Sequence, residues 1–169
     1  FGAADCLIES NLAEDQLAQM CHSMAFGYPG PSPASESSLQ KIIDSTSSDE
    51  LESLSKLCLA RILRKRMEDA TSVQRLTVRR YHVLKELGTG YAARMLKLES
   101  EKLRPRILEL LNSVQGKLGD GTMGERTLNE IARQELQIAR HQTIGCQVPG
   151  ISGADPAGVQ FELADYNGR

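Results

Sequence analysis

Between Ser47 and about Leu118 apolar residues recur at helical spacing with few breakers. Leu51, Leu54, Leu57, Cys58, Leu59, Ile62 and Leu63 fall mostly on one side of a 3.6-residue period, with Leu59 and Leu63 widening the stripe. The pattern resumes in Val73, Leu76, Val83, Leu84, Leu87, Tyr91, Met95 and Leu98. From Leu84 to Leu98 the steps are 3, 4, 4 and 3, the spacing of a helix seam. Ser47 and Glu50 stand at capping-box spacing, and Asp49, Glu50 and Glu52 put negative charge where a helix dipole favours it. No proline lies between Pro33 and Pro105. Unbroken from Asp49 to Leu103, such a helix would be about 80 Å long, a rod longer than a domain of this size. A kink or break is therefore expected. Gly88-Thr89-Gly90 is the first candidate, since each glycine costs roughly 1 kcal/mol against alanine inside a helix. The polar run Met67–Ser72 thins the stripe and makes Ala70 the second.

Around this stretch the chain divides into four parts. Residues 1–27 read as an N-terminal helix over 4–26, capped by Asp5, with Leu7, Ile8, Leu12, Leu17, Met20, Cys21 and Met24 in a loose stripe. Residues 28–47 form a Pro/Ser-rich linker. It holds a short helix from Ser35 or Ser37 to Asp44, with Leu39, Ile42 and Ile43 inward. Residues 48–144 are the helical core. After the long stretch, Pro105 suits a helix start, Ile107, Leu110, Leu111, Val114 and Leu118 supply its apolar face, and Gly119-Asp-Gly121 stops it. Thr122 and Glu125 have capping-box spacing before a last helix carrying Leu128, Ile131, Ala132, Leu136, Ile138 and Ala139. Residues 145–169 are a Gly/Pro-rich extended tail, in which Val159-Gln-Phe-Glu-Leu163 alternates like a short strand or docking arm.

Composition agrees with an all-α fold. The chain has 169 residues, 40% of them hydrophobic but only 4% aromatic, with no tryptophan. That favours helices packed through Leu, Ile, Ala and Met over a β-sandwich or barrel, and it weakens any base-stacking role. The expected architecture is a helical bundle around one long or kinked central helix, with a Gly/Pro-rich C-terminal extension. Net charge is −2, unevenly spread: −7 over residues 1–60, +8 over 61–106 and −3 over 107–169. A basic middle between acidic ends fits an anionic partner, or ends that fold back onto the middle.

Candidate chemistry is sparse. Arg61, Arg64, Lys65, Arg66, Arg75, Arg79 and Arg80 could neutralise phosphates along a helix and are the anion or nucleic-acid candidates. Glu68 and Asp69 lie among them, as on an ordinary solvated helix face. Leu84, Leu87, Tyr91, Met95 and Leu98 are the partner-interface candidates, unless the seam packs in the chain's own core. Cys21-His22 are adjacent, so on a helix they point about 100° apart. Cys6, His82, His141 and Cys146 sit at no zinc spacing, His141 and Cys146, five apart near a helix end, coming nearest. Neither Gly88-Thr-Gly90 nor Gly119–Gly124 precedes the Lys-Ser/Thr of a phosphate loop. The Glu-x-x-His of bundle metal sites is missing. Glu135 lies beside an apolar stripe, which marks it as a partner for an arginine, Arg133 or one from a neighbouring helix.

Asp69-Ala-Thr-Ser-Val-Gln-Arg75, and Gly145-Cys146 with Asp165-Tyr-Asn167, are similar to short segments of the long-helix replication accessory subunits of coronavirus-like viruses. These stretches are too short to carry any residue's role across.

The four cysteines form no disulfide framework, so a reduced intracellular compartment is expected. No run of apolar residues is long enough to span a membrane. The chain opens on Phe1, so a processed product or excised fragment is expected. The functional expectation is a non-enzymatic interaction, assembly or regulatory subunit acting by helix packing with a protein partner or itself. It involves no catalytic residue, metal or cofactor. The alternative is a nucleic-acid-binding accessory protein using segment 61–106.

Overall fold

The computed structural model describes residues 12–27, 33–75, 85, 89–142, 150, 152–154 and 156–162. Among these are six helices: α1 Glu14–Phe26, α2 Pro33–Ser45, α3 Asp49–Arg75, α4 Thr89–Lys97, α5 Ser100–Ser113 and α6 Leu128–Gln137. A π-helical turn, Ile138–Gln142, extends α6. Two antiparallel two-stranded sheets complete the described chain: β1 Thr122–Met123 with β2 Arg126–Thr127, and β3 Ser152–Ala154 with β4 Gln160–Glu162. The fold is an all-α bundle.

α3 is the axis, and α1, α2, α4 and α5 all pack on it. Its apolar stripe is wide enough to meet several neighbours at once: Leu57, Cys58, Leu59, Ala60, Ile62 and Leu63 are all buried. They share one core with Cys21 and Ala25 of α1, Leu39 and Ile42 of α2, Ile107 and Leu111 of α5, and Ile131, Ala132 and Leu136 of α6. Arg106 of α5 reaches the same carboxylate as Arg66, while Leu118, beyond the end of α5, lines a pocket with Leu51. α5 therefore runs antiparallel to α3.

α3 does not break at Ala70 but continues to Arg75. Met67, Ala70 and Val73, three residues apart, keep a narrow buried stripe through the polar run. Nor is there a rod to Leu103, because α4 lies back against the last turns of α3. The Gln74 amide donates to the carbonyls of Met95 (3.1 Å) and Leu98 (3.0 Å), tying down the end of α4. Thr89 and Gly90 form the first turn of α4; whether the chain turns at Gly88 lies outside the described residues.

Several helix ends differ from the spacing expectations. The cap of α3 is Ser48, whose Oγ accepts from Leu51 N at 3.4 Å, not Ser47 paired with Glu50. The helix expected over 4–26 does not run unbroken: α1 starts at Glu14, with Ala13 extended at its N-cap and the Gln16 side chain accepting from Ala13 N at 3.2 Å. Asp5 lies outside the described residues. Pro105 sits inside α5 rather than at its start, because burial of Ile107 and Leu111 holds the helix despite the missing amide. Thr122 does not cap α6. It pairs with Thr127 across a hairpin whose first loop residue, Gly124, has φ 62°. The capping box is one hairpin later: Glu130 N donates to Thr127 Oγ1 at 3.2 Å, and Thr127 N donates to Glu130 Oε2 at 2.8 Å. A Cβ on Gly121 would meet Leu128 Cδ1 at 2.7 Å, so the Leu128 side chain would have to shift. In the tail, Gln160–Glu162 is a strand as the alternation suggests, with Phe161 over Gly153 of β3.

Two stability measurements follow from this packing. Leu111→Ala removes a fully buried side chain facing α3 and is expected to cost about 2–5 kcal/mol in urea unfolding; a loss under about 1 kcal/mol would contradict the core assignment. Thr127→Ala is expected to cost about 1 kcal/mol at neutral pH. The Thr127 backbone and side-chain hydrogen bonds hold the Glu130 carboxyl below its ordinary range. Its contribution is therefore full above the unfolded value near about 4.3 and is lost as pH falls through the lower folded value. Glu130→Gln should remove that pH-dependent part.

Candidate functional site

The basic face of α3 is where sequence expectation and geometry meet most directly. Arg61, Arg64, Lys65 and Arg66 occupy consecutive turns, so helical geometry sends them to different neighbours. Arg64 points into the bundle and is only 8% exposed. Its Nε donates to Glu135 Oε2 at 2.5 Å and its Nη2 to Glu135 Oε1 at 3.3 Å, a two-pronged contact with a carboxylate of α6 that is itself buried. Its Nη1 pairs with Glu68 one turn on. Burial pulls the Arg64 guanidinium down, but the hydrogen bonds and charges of Glu135 and Glu68 outweigh it and hold it above its usual value.

Arg61 pairs with the same Glu135 carboxylate through Nη1. Its Nε donates to Ala25 O at 3.3 Å, near the C-terminal end of α1, where a cation is favoured. Its guanidinium lies 4.3 Å above the Phe26 ring, which also stacks on His22 with centroids 5.0 Å apart. Arg66 pairs with Glu36 of α2, and Arg106 of α5 approaches the same carboxylate at 3.5 Å while donating to Gln40 Oε1 at 2.9 Å.

Thus the acidic flanks do fold back onto the basic middle: Glu36 comes from the first third of the chain and Glu135 from the last. Glu135 pairs with Arg61 and Arg64 of the neighbouring helix rather than with the exposed Arg133. Lys65 is exposed. Arg79, Arg80 and the side chain of Arg75 lie outside the described residues. Of the apolar seam, Met95 is fully buried against Ala70 and Val73, with Leu98 packed beside it. Leu84, Leu87 and the side chain of Tyr91 lie outside the described residues.

Two contacts carry no signal in spacing. Cys21 Sγ lies 3.3 Å from Ser55 Oγ in the core, 34 residues away. Gln74 reads as an ordinary polar residue until α4 arrives beside it. Burial raises the Cys21 thiol, and burial followed by the neighbouring Cys21 pushes Cys58 well above the ordinary thiol range. Neither is activated as a nucleophile. His141 is exposed, and Cys6, His82 and Cys146 lie outside the described residues. Among the described residues no three His, Cys, Asp or Glu side chains group as metal ligands, and no helix is long and apolar enough to cross a membrane.

Two measurements check this arrangement. Glu36 is partly exposed, so Glu36→Gln is expected to cost no more than about 1 kcal/mol; a loss of several would mean that the α2 contact is far less screened than its exposure indicates. Alkylation mapped by mass spectrometry should leave Cys21 and Cys58 unmodified in the folded protein and label both on unfolding, whereas rapid native labelling of either would contradict their burial. Comparison of the chain with protein-family models, curated proteins and solved structures finds no match.

Proposed function

We propose that this chain is a non-enzymatic interaction or assembly subunit that works by packing helices against a protein partner or a second copy of itself. The observation that carries the reading is the uneven covering of α3. Its first five turns are enclosed by α1, α2, α5 and α6, but its last two turns hold a separate small core of Ala70, Val73 and Met95. α4, which covers that end, leaves Leu96 43% exposed. Among the described residues this end of the helix is held by the smaller core, and it is where a further helical layer supplied from outside would add most burial. Such a contact would gain its free energy from the apolar patch and its orientation from surrounding charge.

A nucleic-acid role would have to rest on other cations than the first of the cluster, because Arg61, Arg64 and Arg66 already have carboxylate partners. Lys65, Arg94 and Lys97 are exposed and have no such partner among the described residues. Solution mass by light scattering at low and high salt, with nucleic-acid absorbance followed on the same peak, separates the two readings. The interaction reading expects a mass above that of one chain, free of nucleic acid, or a clean monomer that gains mass when a partner protein is added. A particle that carries nucleic acid at low salt and sheds it at high salt would contradict the reading and favour the cations.

A further inference from the structure

α4 is held far more lightly than the other helices. Among the described residues the main core takes side chains from α1, α2, α3, α5 and α6, but none from α4. Of the described α4 side chains only Met95 is buried, and it lies in the separate cluster with Ala70 and Val73 of α3. Leu98, just past the end of α4, packs beside them. Thr89, Gly90, Ala93, Arg94, Leu96 and Lys97 are all exposed. A helix of nine residues is too short to persist alone in water, so α4 depends on the face it turns to α3.

A second hold on α4 is Gln74. At about 100° per residue Val73, Ala70 and Gln74 fall within one arc of about 100° on α3, so the Gln74 amide stands at the edge of the face that carries the small core. Its Nε2 donates to the carbonyls of Met95 (3.1 Å), Leu96 (3.4 Å) and Leu98 (3.0 Å). The last carbonyls of a helix have no amide of their own helix to accept from, so one side chain both caps α4 and ties it to α3. Beyond this cap Glu99 leaves the helical conformation, with φ −82° and ψ 89°, before α5 begins at Ser100. A joint therefore separates α4 from the helix that anchors the main core.

We propose that α4 is a cover latched by Gln74, one that leaves the last two turns of α3 while the rest of the bundle stays folded. Release breaks the Gln74 hydrogen bonds, unseats Met95 and turns the chain about Glu99. It leaves in place the buried layer Leu57–Leu63 and the tie from Glu135 to Arg61 and Arg64, which belong to the main core. What it uncovers is Ala70, Val73 and Met95, a small apolar area beside that of the main core. Opening therefore costs a fraction of what global unfolding costs. The device needs no partner, so it stands or fails apart from the interaction reading above.

Native-state hydrogen exchange of the whole chain, read by mass spectrometry, tests this. The amides of Ala93–Lys97 in α4 should exchange at least about 100-fold faster than those of Leu57–Leu63 in α3. In low urea their rate should stay flat while the Leu57–Leu63 rate climbs, because local opening exposes little new surface. Leu111→Ala weakens only the main core. It should speed Leu57–Leu63 by about 30-fold or more and leave Ala93–Lys97 within about twofold. Gln74→Met keeps the length of the side chain, removes its donors at an exposed position and should speed Ala93–Lys97 by about fivefold or more. If Ala93–Lys97 speed up in step with Leu57–Leu63, in urea or in Leu111→Ala, α4 opens only with the whole bundle and the proposal is overturned. The urea series needs no variant, so it decides the matter even if Leu111→Ala fails to fold. Exchange in α4 that is unchanged by Gln74→Met would overturn the latch.

Discussion

The bundle depends on one carboxylate. Glu135 is buried in the face α6 turns to α3, and a lone charge there would cost several kcal/mol. Arg61 and Arg64, one turn apart on α3, both reach it. Because the two cations lie three residues apart on a single helix, they fix where along α3 the carboxylate must sit, and with it the register of α6. Arg61 extends the tie to α1 through the Ala25 carbonyl and the Phe26 ring. A leucine core tolerates sliding far better than a two-pronged guanidinium–carboxylate contact does. The pair thus contributes orientation more than net stability, since a buried ion pair replaced by well-packed apolar groups is often no less stable.

The same geometry explains the chain's uneven charge. Two carboxylates of the acidic flanks, Glu36 and Glu135, answer Arg61, Arg64 and Arg66 of the basic middle within the molecule. Among the described residues Lys65, Arg94 and Lys97 remain exposed without a carboxylate partner, and Glu14, Asp15 and Glu50 without a cationic one. Net charge therefore says little about partners, whereas the placement of the unanswered charges says more.

The all-α character and the long central helix were legible because a wide leucine stripe without proline has few other ways to be buried. Glu135 was legible as an arginine partner because a carboxylate beside an apolar stripe needs one; which arginine depended on a helix packing 71 residues away. Helix ends were less legible. Ser47 and Ser48 both offer a capping hydroxyl, and the observed start at Asp49 chooses between them. Thr122 and Thr127 both sit three residues before a glutamate, and the glycine at positive φ between them makes the first a hairpin residue. Pro105 read as a start because its local cost is large, yet tertiary burial on either side overrides it. The pocket beside Leu51 and Leu118 leaves no periodic signal, since its lining comes from several separate elements.

The most direct test is a double-mutant cycle on Arg64 and Glu135, followed by urea unfolding with Met and Leu as the apolar replacements. If Glu135 sets the register of the bundle, Glu135→Leu should cost about 3–5 kcal/mol by leaving buried Arg64 with Glu68 alone, and Arg64→Met less, because Arg61 still reaches the carboxylate. The double variant should regain much of that loss, giving a coupling of more than about 1.5 kcal/mol. Single losses under about 1 kcal/mol that simply add would contradict the account.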